Sequence, residues 1–271
     1  MKLKALSYLF AAAAFAAPFA ASAVPLFPVY TVTPGAALQG TLTTFKANDL
    51  GGQYRETFTF TSATTFNVSA LFLGNNFNLD DTVLAHTYTP AESGLGVKYQ
   101  LYAQELATGT YSTSGSTTTF QITSGSFTLY LDPFAISGLM TGLDGFPANG
   151  STLSPRTDFG DDIPLGTGTL IPAGSSGTQT CTGGNNCGSF GQTAKFSLTA
   201  AGSSFFTAPV PFYNLALTSG QFQGVNPVNG QNANSTGTAN TVFAVPEPSG
   251  IALMGLALLS LGFSRRRKDQ V

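Results

Sequence analysis

Hydrophobic and polar residues alternate along most of this chain with a period of two. In Thr57-Phe58-Thr59-Phe60-Thr61 both aromatics fall on one face and three threonines on the other, which predicts a half-buried strand. Phe66, Val68, Ala70 and Phe72 repeat the pattern, as do Val97, Tyr99, Leu101 and Ala103, then Phe127, Leu129 and Leu131. Phe196 with Leu198, Leu215 with Leu217, and Val242 with Ala244 predict later strands. Gly51-Gly52, Gly74-Asn75-Asn76, Gly94, Gly109 and Gly125 read as turns between them. The best helical stretch, Tyr102 to Leu106, is poor, and no period of a solenoid or propeller is present. Short strands at intervals of about ten residues predict an all-β fold, an antiparallel β-sandwich, as one large or two small domains.

The alternation fades at Gly138. Residues 138–192 are rich in Gly, Pro, Asn, Ser and Thr and read as long loops, either a linker or a large insertion, between a front half (24–137) and a back half (193–244). Residues 226–241, polar and rich in Asn and Gly, read as a spacer. Cys181 and Cys187 enclose a turn-forming Thr-Gly-Gly-Asn-Asn and are the only two cysteines; so close a pair in an exported chain predicts a local disulfide.

Both ends break the pattern in another way. Lys2 and Lys4 precede an apolar stretch from Ala5 to Ala20, and Ala21-Ser22-Ala23 offers the small-x-small exit of a signal peptide. The reading is a signal helix over 1–23, removed by signal peptidase after Ala23, with Val24 as the mature start. At the other end, Pro246-Glu247-Pro248 leads into an apolar run, Ile251 to Phe263, closed by Arg265, Arg266, Arg267 and Lys268. As a helix that run spans roughly 20 Å, against about 30 Å of bilayer hydrocarbon. It predicts a short membrane helix resident only transiently in the inner membrane, with the basic cluster held on the cytoplasmic side and residues 24 to about 245 on the outer side.

Charge refines this. Of eleven cations, two lie in the leader and four in the tail, which leaves Lys46, Arg55, Lys98, Arg156 and Lys195 against eleven acids. The exported part carries about −6, and five scattered cations make no nucleic-acid patch. Charged residues are only 9 % of the chain, so hydroxyls and amides carry its polarity, while 23 Phe and 9 Tyr exclude a disordered chain.

Enzymatic chemistry finds little support. His86 is the only histidine, no Gly-x-Ser-x-Gly elbow or phosphate loop occurs, and nothing calls for a cofactor. Asp158, Asp161 and Asp162 form a weak metal candidate, as do Asn76, Asn78 and Asp80, and neither set follows a calcium-loop pattern. A polysaccharide hydrolase would require two carboxyls roughly 5–9 Å apart in a cleft. A carbohydrate-binding module would require exposed rings from Tyr54, Tyr88, Tyr99, Tyr111 or Tyr213, since Trp is absent; buried rings with wet hydroxyls are the plainer reading.

The tail of residues 245–271 resembles the PEP-CTERM sorting signal of Gram-negative bacteria, through its Pro246-Glu247-Pro248 tripeptide, apolar run and basic cluster in fixed order. The resemblance implies an exosortase as processing partner near the tripeptide. Tyr99-Gln100-Leu101-Tyr102-Ala103, then Ala107-Thr108-Gly109-Thr110-Tyr111, and the segment Phe205 to Tyr213 are similar to flocculation-associated PEP-CTERM proteins. That resemblance implies a non-enzymatic cell-surface or matrix protein working with exopolysaccharide in floc or biofilm formation.

Overall fold

The computed structural model describes residues 27–38, 42–80, 85–133, 161–181 and 187–244. The signal cleavage residues Ala21, Ala23 and Val24, Asp158, the Pro246-Glu247-Pro248 tripeptide, the apolar run and the Arg265–Lys268 cluster lie outside these residues. Among the described residues no helix is long and apolar enough to cross a membrane.

The described residues form thirteen strands: β1 (Tyr30–Val32), β2 (Phe45–Ala47), β3 (Asp49–Phe60), β4 (Thr65–Asp80), β5 (Ala85–Thr87), β6 (Gln100–Ser114), β7 (Thr117–Asp132), β8 (Ile163–Leu170), β9 (Ser176–Gln179), β10 (Gly188–Leu198), β11 (Phe206–Ala208), β12 (Leu215–Phe222) and β13 (Asn232–Ala244). Three short helices, α1 (Pro34–Leu38), α2 (Pro90–Ser93) and α3 (Ala200–Phe205), sit in the connections. The antiparallel all-β expectation holds.

The larger sheet runs β12-β13-β3-β4-β6-β7-β8-β10, and β10 then pairs with β12 from Gly188↔Phe222 to Lys195↔Leu215. The sheet therefore closes on itself as an up-and-down barrel. Its opposite walls pack across the core as two layers would, and closure removes the free edges a sandwich leaves exposed. β9 continues β8 after a single 3₁₀ turn at Pro172–Gly174, and it fills the same place between β7 and β10. Strands of both predicted halves, β3-β4-β6-β7 from the front and β10-β12-β13 from the back, complete one barrel.

Three sequence expectations change here. Residues 163–170 and 176–179, read as loop, are barrel strands, and β10 starts at Gly188. They lack apolar periodicity because glycines hold the inward positions: a Cβ on Gly166 would lie 2.5 Å from the Phe196 ring, and one on Gly168 would overlap the Phe127 ring. Gly51-Gly52 and Gly74-Asn75-Asn76 lie inside β3 and β4 rather than between strands. The register skips there, Gly51 pairing with Asn76 and Gly52 with Gly74, so these glycines mark a bulge in long strands. Residues 232–241, read as spacer, belong to β13, while Tyr102–Leu106 is part of β6.

The later alternation also runs in the opposite phase from its reading. Ala216 and Phe243, both 2 % exposed, enter the core, while Leu215 and Leu217 stay partly exposed. Val242 and Phe243 are both buried neighbours, and the larger aromatic ring takes the interior.

The interior holds two clusters. At the end where the chain enters and leaves, the small sheet β11-β1-β2 and helix α3 cap the barrel. Tyr30, Phe205, Phe206 and Phe243 pack there, with Tyr30 edge-to-face on Phe243 at 5.4 Å between centroids. At the opposite, hairpin end Phe58, Phe60, Phe66, Tyr111 and Phe120 form the second cluster. The Cys181–Cys187 disulfide, with Cα atoms 5.3 Å apart, ties the β9–β10 connection at that end. Buried Gln179 beside it exchanges hydrogen bonds with the backbone of Val225, donating at 2.6 Å and accepting at 3.0 Å.

Candidate functional site

Between the two clusters the barrel encloses a cavity of about 130 Å³, lined from both clusters and from every wall. Phe72 and Phe127 pack against both clusters and form part of its sides. Inward alternation along β3 sets Glu56 in phase with Tyr54, Phe58 and Phe60; along β6 it sets Glu105 in phase with Ala103 and Ala107. The two carboxyls flank Ala70, which pairs with Glu56 on one side and Glu105 on the other. Their backbones are thus two strand spacings apart, roughly 10 Å.

Polar partners come from the far wall. Gln192 on β10 donates through Nε2 to Glu105 Oε1 at 2.9 Å, a bond that spans the interior because β6 and β10 are not neighbours. Gln192 pairs in register with Thr218, and Thr218 with Thr241, whose hydroxyls meet at 2.9 Å. These five side chains make a polar belt between two aromatic ends.

Burial dominates the belt's electrostatics. It pushes the Glu56 carboxyl up to about 8, reinforced by the Glu105 charge and partly offset by a hydrogen bond with Ser235. It pushes Glu105 up to about 7, offset by the Gln192 bond. The Tyr54 phenol is raised too, by burial first and then by the two glutamates. Among the described residues no Lys, Arg or His lines the cavity, so none of them neutralises a carboxylate there. The chemistry available is proton exchange and pairing with a cation.

Several residues marked in the sequence lie elsewhere. Cys181 and Cys187 are bonded to each other. Asp161 and Asp162 come together with Asp132, each offering an oxygen within 4.8 Å of the others, and the Tyr102 hydroxyl donates to Asp162. This group adjoins an outer-wall cluster of Leu71, Leu73, Tyr102 and Tyr130. Asn76 donates to Asn78 at 2.9 Å, and Asn78 donates to Asp49 at 2.8 Å, so that set is an amide network along the bulge. Exposed His86 sits 3.2 Å from Glu92.

Tyr54, Tyr99 and Tyr111 are buried. Their hydroxyls, read as wet, donate to the backbone carbonyls of Gln221, Ser93 and Ser62, and Tyr213 donates to Val29. Those three buried rings are closed to stacking, while Tyr88, edge-to-face with His86, and Tyr213 stay partly exposed. Tyr99, Phe205 and Phe206, within the aromatic segments singled out above, are core residues as well.

Glu56 and Glu105 were not singled out in the sequence. The signal was present: each is an acid in phase with an apolar face, Glu56 two residues before Phe58 and Glu105 two after Ala103. An ionisable residue on an inward face breaks the alternation and marks a site rather than a wall.

At the chain's exit, residues 244–268 match the PEP-CTERM protein-sorting motif. No curated protein and no solved structure gave a match to the chain. The motif begins at Ala244, the last residue of β13, which pairs with Leu215. It implies an exported protein processed by an exosortase at the cell envelope.

Proposed function

We propose that this is a non-enzymatic surface or matrix protein acting in exopolysaccharide-associated floc or biofilm formation after its tail is processed. One observation carries the reading: both ends of the barrel chain leave from the same face. Tyr30 of the first strand packs on Phe243 of the last, and the sorting motif starts one residue later. Cutting near Pro246 therefore removes no barrel strand, and signal peptidase cutting before Val24 removes none either.

The outer surface fits a matrix role. Pairs of hydroxyls and amides lie on it, including Thr59 with Asn232 at 2.8 Å, Thr108 with Thr123 at 3.2 Å and Thr108 with Ser124 at 2.8 Å. Such groups meet sugar hydroxyls through many weak hydrogen bonds rather than a few strong charges. A polymer-cleaving enzyme needs a cleft that admits a chain, whereas Glu56 and Glu105 lie between two packed aromatic clusters.

Deleting the gene and scoring cell settling tests the proposal, with incubation of the processed protein and the strain's own polysaccharide beside it. Slower settling and polysaccharide pull-down without shortened chains support it. Unchanged settling, or polysaccharide cleavage by the protein, overturns it.

A further inference from the structure

We propose that the barrel interior is a binding site for a small organic amine, its apolar body against Phe72 and Phe127 and its ammonium group between Glu56 and Glu105. This inference is independent of the floc reading.

Size comes first. A cavity of about 150 Å³ lined by Leu, Ile and Phe is large enough to bind benzene, and the space here, about 130 Å³, is of that class. The ligand is therefore a single ring or a short branched chain, not an acyl tail or an oligosaccharide. The wall is mostly apolar, with Phe58, Phe66, Phe120 and Phe196 among its surfaces. Rings of this kind favour a compact hydrocarbon body and can face a cation.

Charge comes second. Two carboxyls share a space that, among the described residues, no Lys, Arg or His lines, and the other titratable group facing them is the Tyr54 phenol. An anionic ligand would meet two acids and, among the described residues, no cation. A wholly apolar ligand would set against hydrocarbon the carboxyl capacity that the bonds to Ser235 and Gln192 leave unused on Glu56 and Glu105, which costs free energy. An ammonium group supplies the missing opposite charge and makes charge-assisted hydrogen bonds to the carboxylates. Gln192, anchored on the far wall, holds Glu105 through one oxygen and leaves the other outside that bond. Because burial raises Glu56 to about 8 and Glu105 to about 7, the pair holds protons at pH 7 that an entering cation displaces.

The experiment uses the processed protein recovered from cells and three probes of one shape: benzylamine, benzyl alcohol and toluene. Titration calorimetry at pH 7 in two buffers of different ionisation heat reads affinity and proton release together. Benzylamine is expected to bind at least tenfold more tightly than either neutral probe, releasing about one proton. The double substitution Glu56→Gln with Glu105→Gln should abolish that preference and the proton release. Ala70→Leu, which fills the space between the carboxyls, should weaken benzylamine at least tenfold while circular dichroism still reports a folded barrel. Equal binding of benzylamine and toluene overturns the proposal, as does no binding of benzylamine or binding without proton release. Should the double variant fail to fold, the comparison of probes on the unaltered protein decides alone.

Discussion

At the capped end of the barrel Tyr30, Phe206 and Phe243 meet edge-to-face at 5.4–5.7 Å, with no ionisable side chain but the phenol among them. Midway along the same walls the inward positions hold Glu56, Glu105, Gln192, Thr218 and Thr241 around open space. Phe243 and the belt lie on one closed hydrogen-bond ladder, whereas Tyr30 and Phe206 come from the separate three-stranded sheet laid over its end, so the capped end adds backbone as well as rings. The ends hold the barrel together by filling volume. The middle gives up packing and keeps groups that are costly to bury, which a protein under selection for stability alone would replace with leucine or phenylalanine.

Substitutions at the two levels should separate them. Phe243→Ala removes a ring that touches Tyr30, Phe196, Phe206 and Phe212, and should cost about 3–5 kcal/mol, read by denaturant unfolding. A mild effect there would mean the capped end does not hold the fold.

The middle should behave in the opposite sense. Glu56 and Glu105 have carboxyl pKa values raised to about 8 and about 7, so the folded state binds more protons than the unfolded state above about pH 4.5. Stability is then greatest at acid pH and falls as pH rises from about 5 to 8, by an amount on the order of a few kcal/mol. The Glu56→Gln with Glu105→Gln variant should lose that slope and exceed the unaltered protein in stability at pH 8. Parallel pH curves for the two proteins would break the contrast.

Smaller effects test the hairpin end and the exterior. Replacing Cys181 and Cys187 with serine should cost about 2–3 kcal/mol, since the bridge closes a short loop, read as a lower Tm. Thr59→Val on the outer wall removes one exposed hydrogen bond to Asn232 and should change stability by about 1 kcal/mol or less.

The parts legible in the sequence were those encoded by neighbouring residues. Phe58 and Phe60, Phe66 to Phe72, and Phe127 to Leu131 alternate as expected and face inward. The Cys181–Cys187 bridge and the sorting tail also follow from short-range order. Closure was hidden because it depends on β10 meeting β12, a pairing that local periodicity does not encode. β8 was hidden because Gly166 and Gly168 give up their own side chains to make room for Phe196 and Phe127. Glu56 and Glu105 became a site only when Ala70 placed them on either side of one strand. Distance in sequence, not chemistry, concealed them.

The floc role requires the barrel to be delivered outside the cytoplasm and parted from its sorting tail. Intact-mass measurement of the protein recovered from the envelope or medium of producing cells addresses that directly. The mass expected is that of a chain starting at Val24 and ending near Pro246, without Arg265 to Lys268. A full-length chain carrying both the leader and the four terminal cations would contradict it.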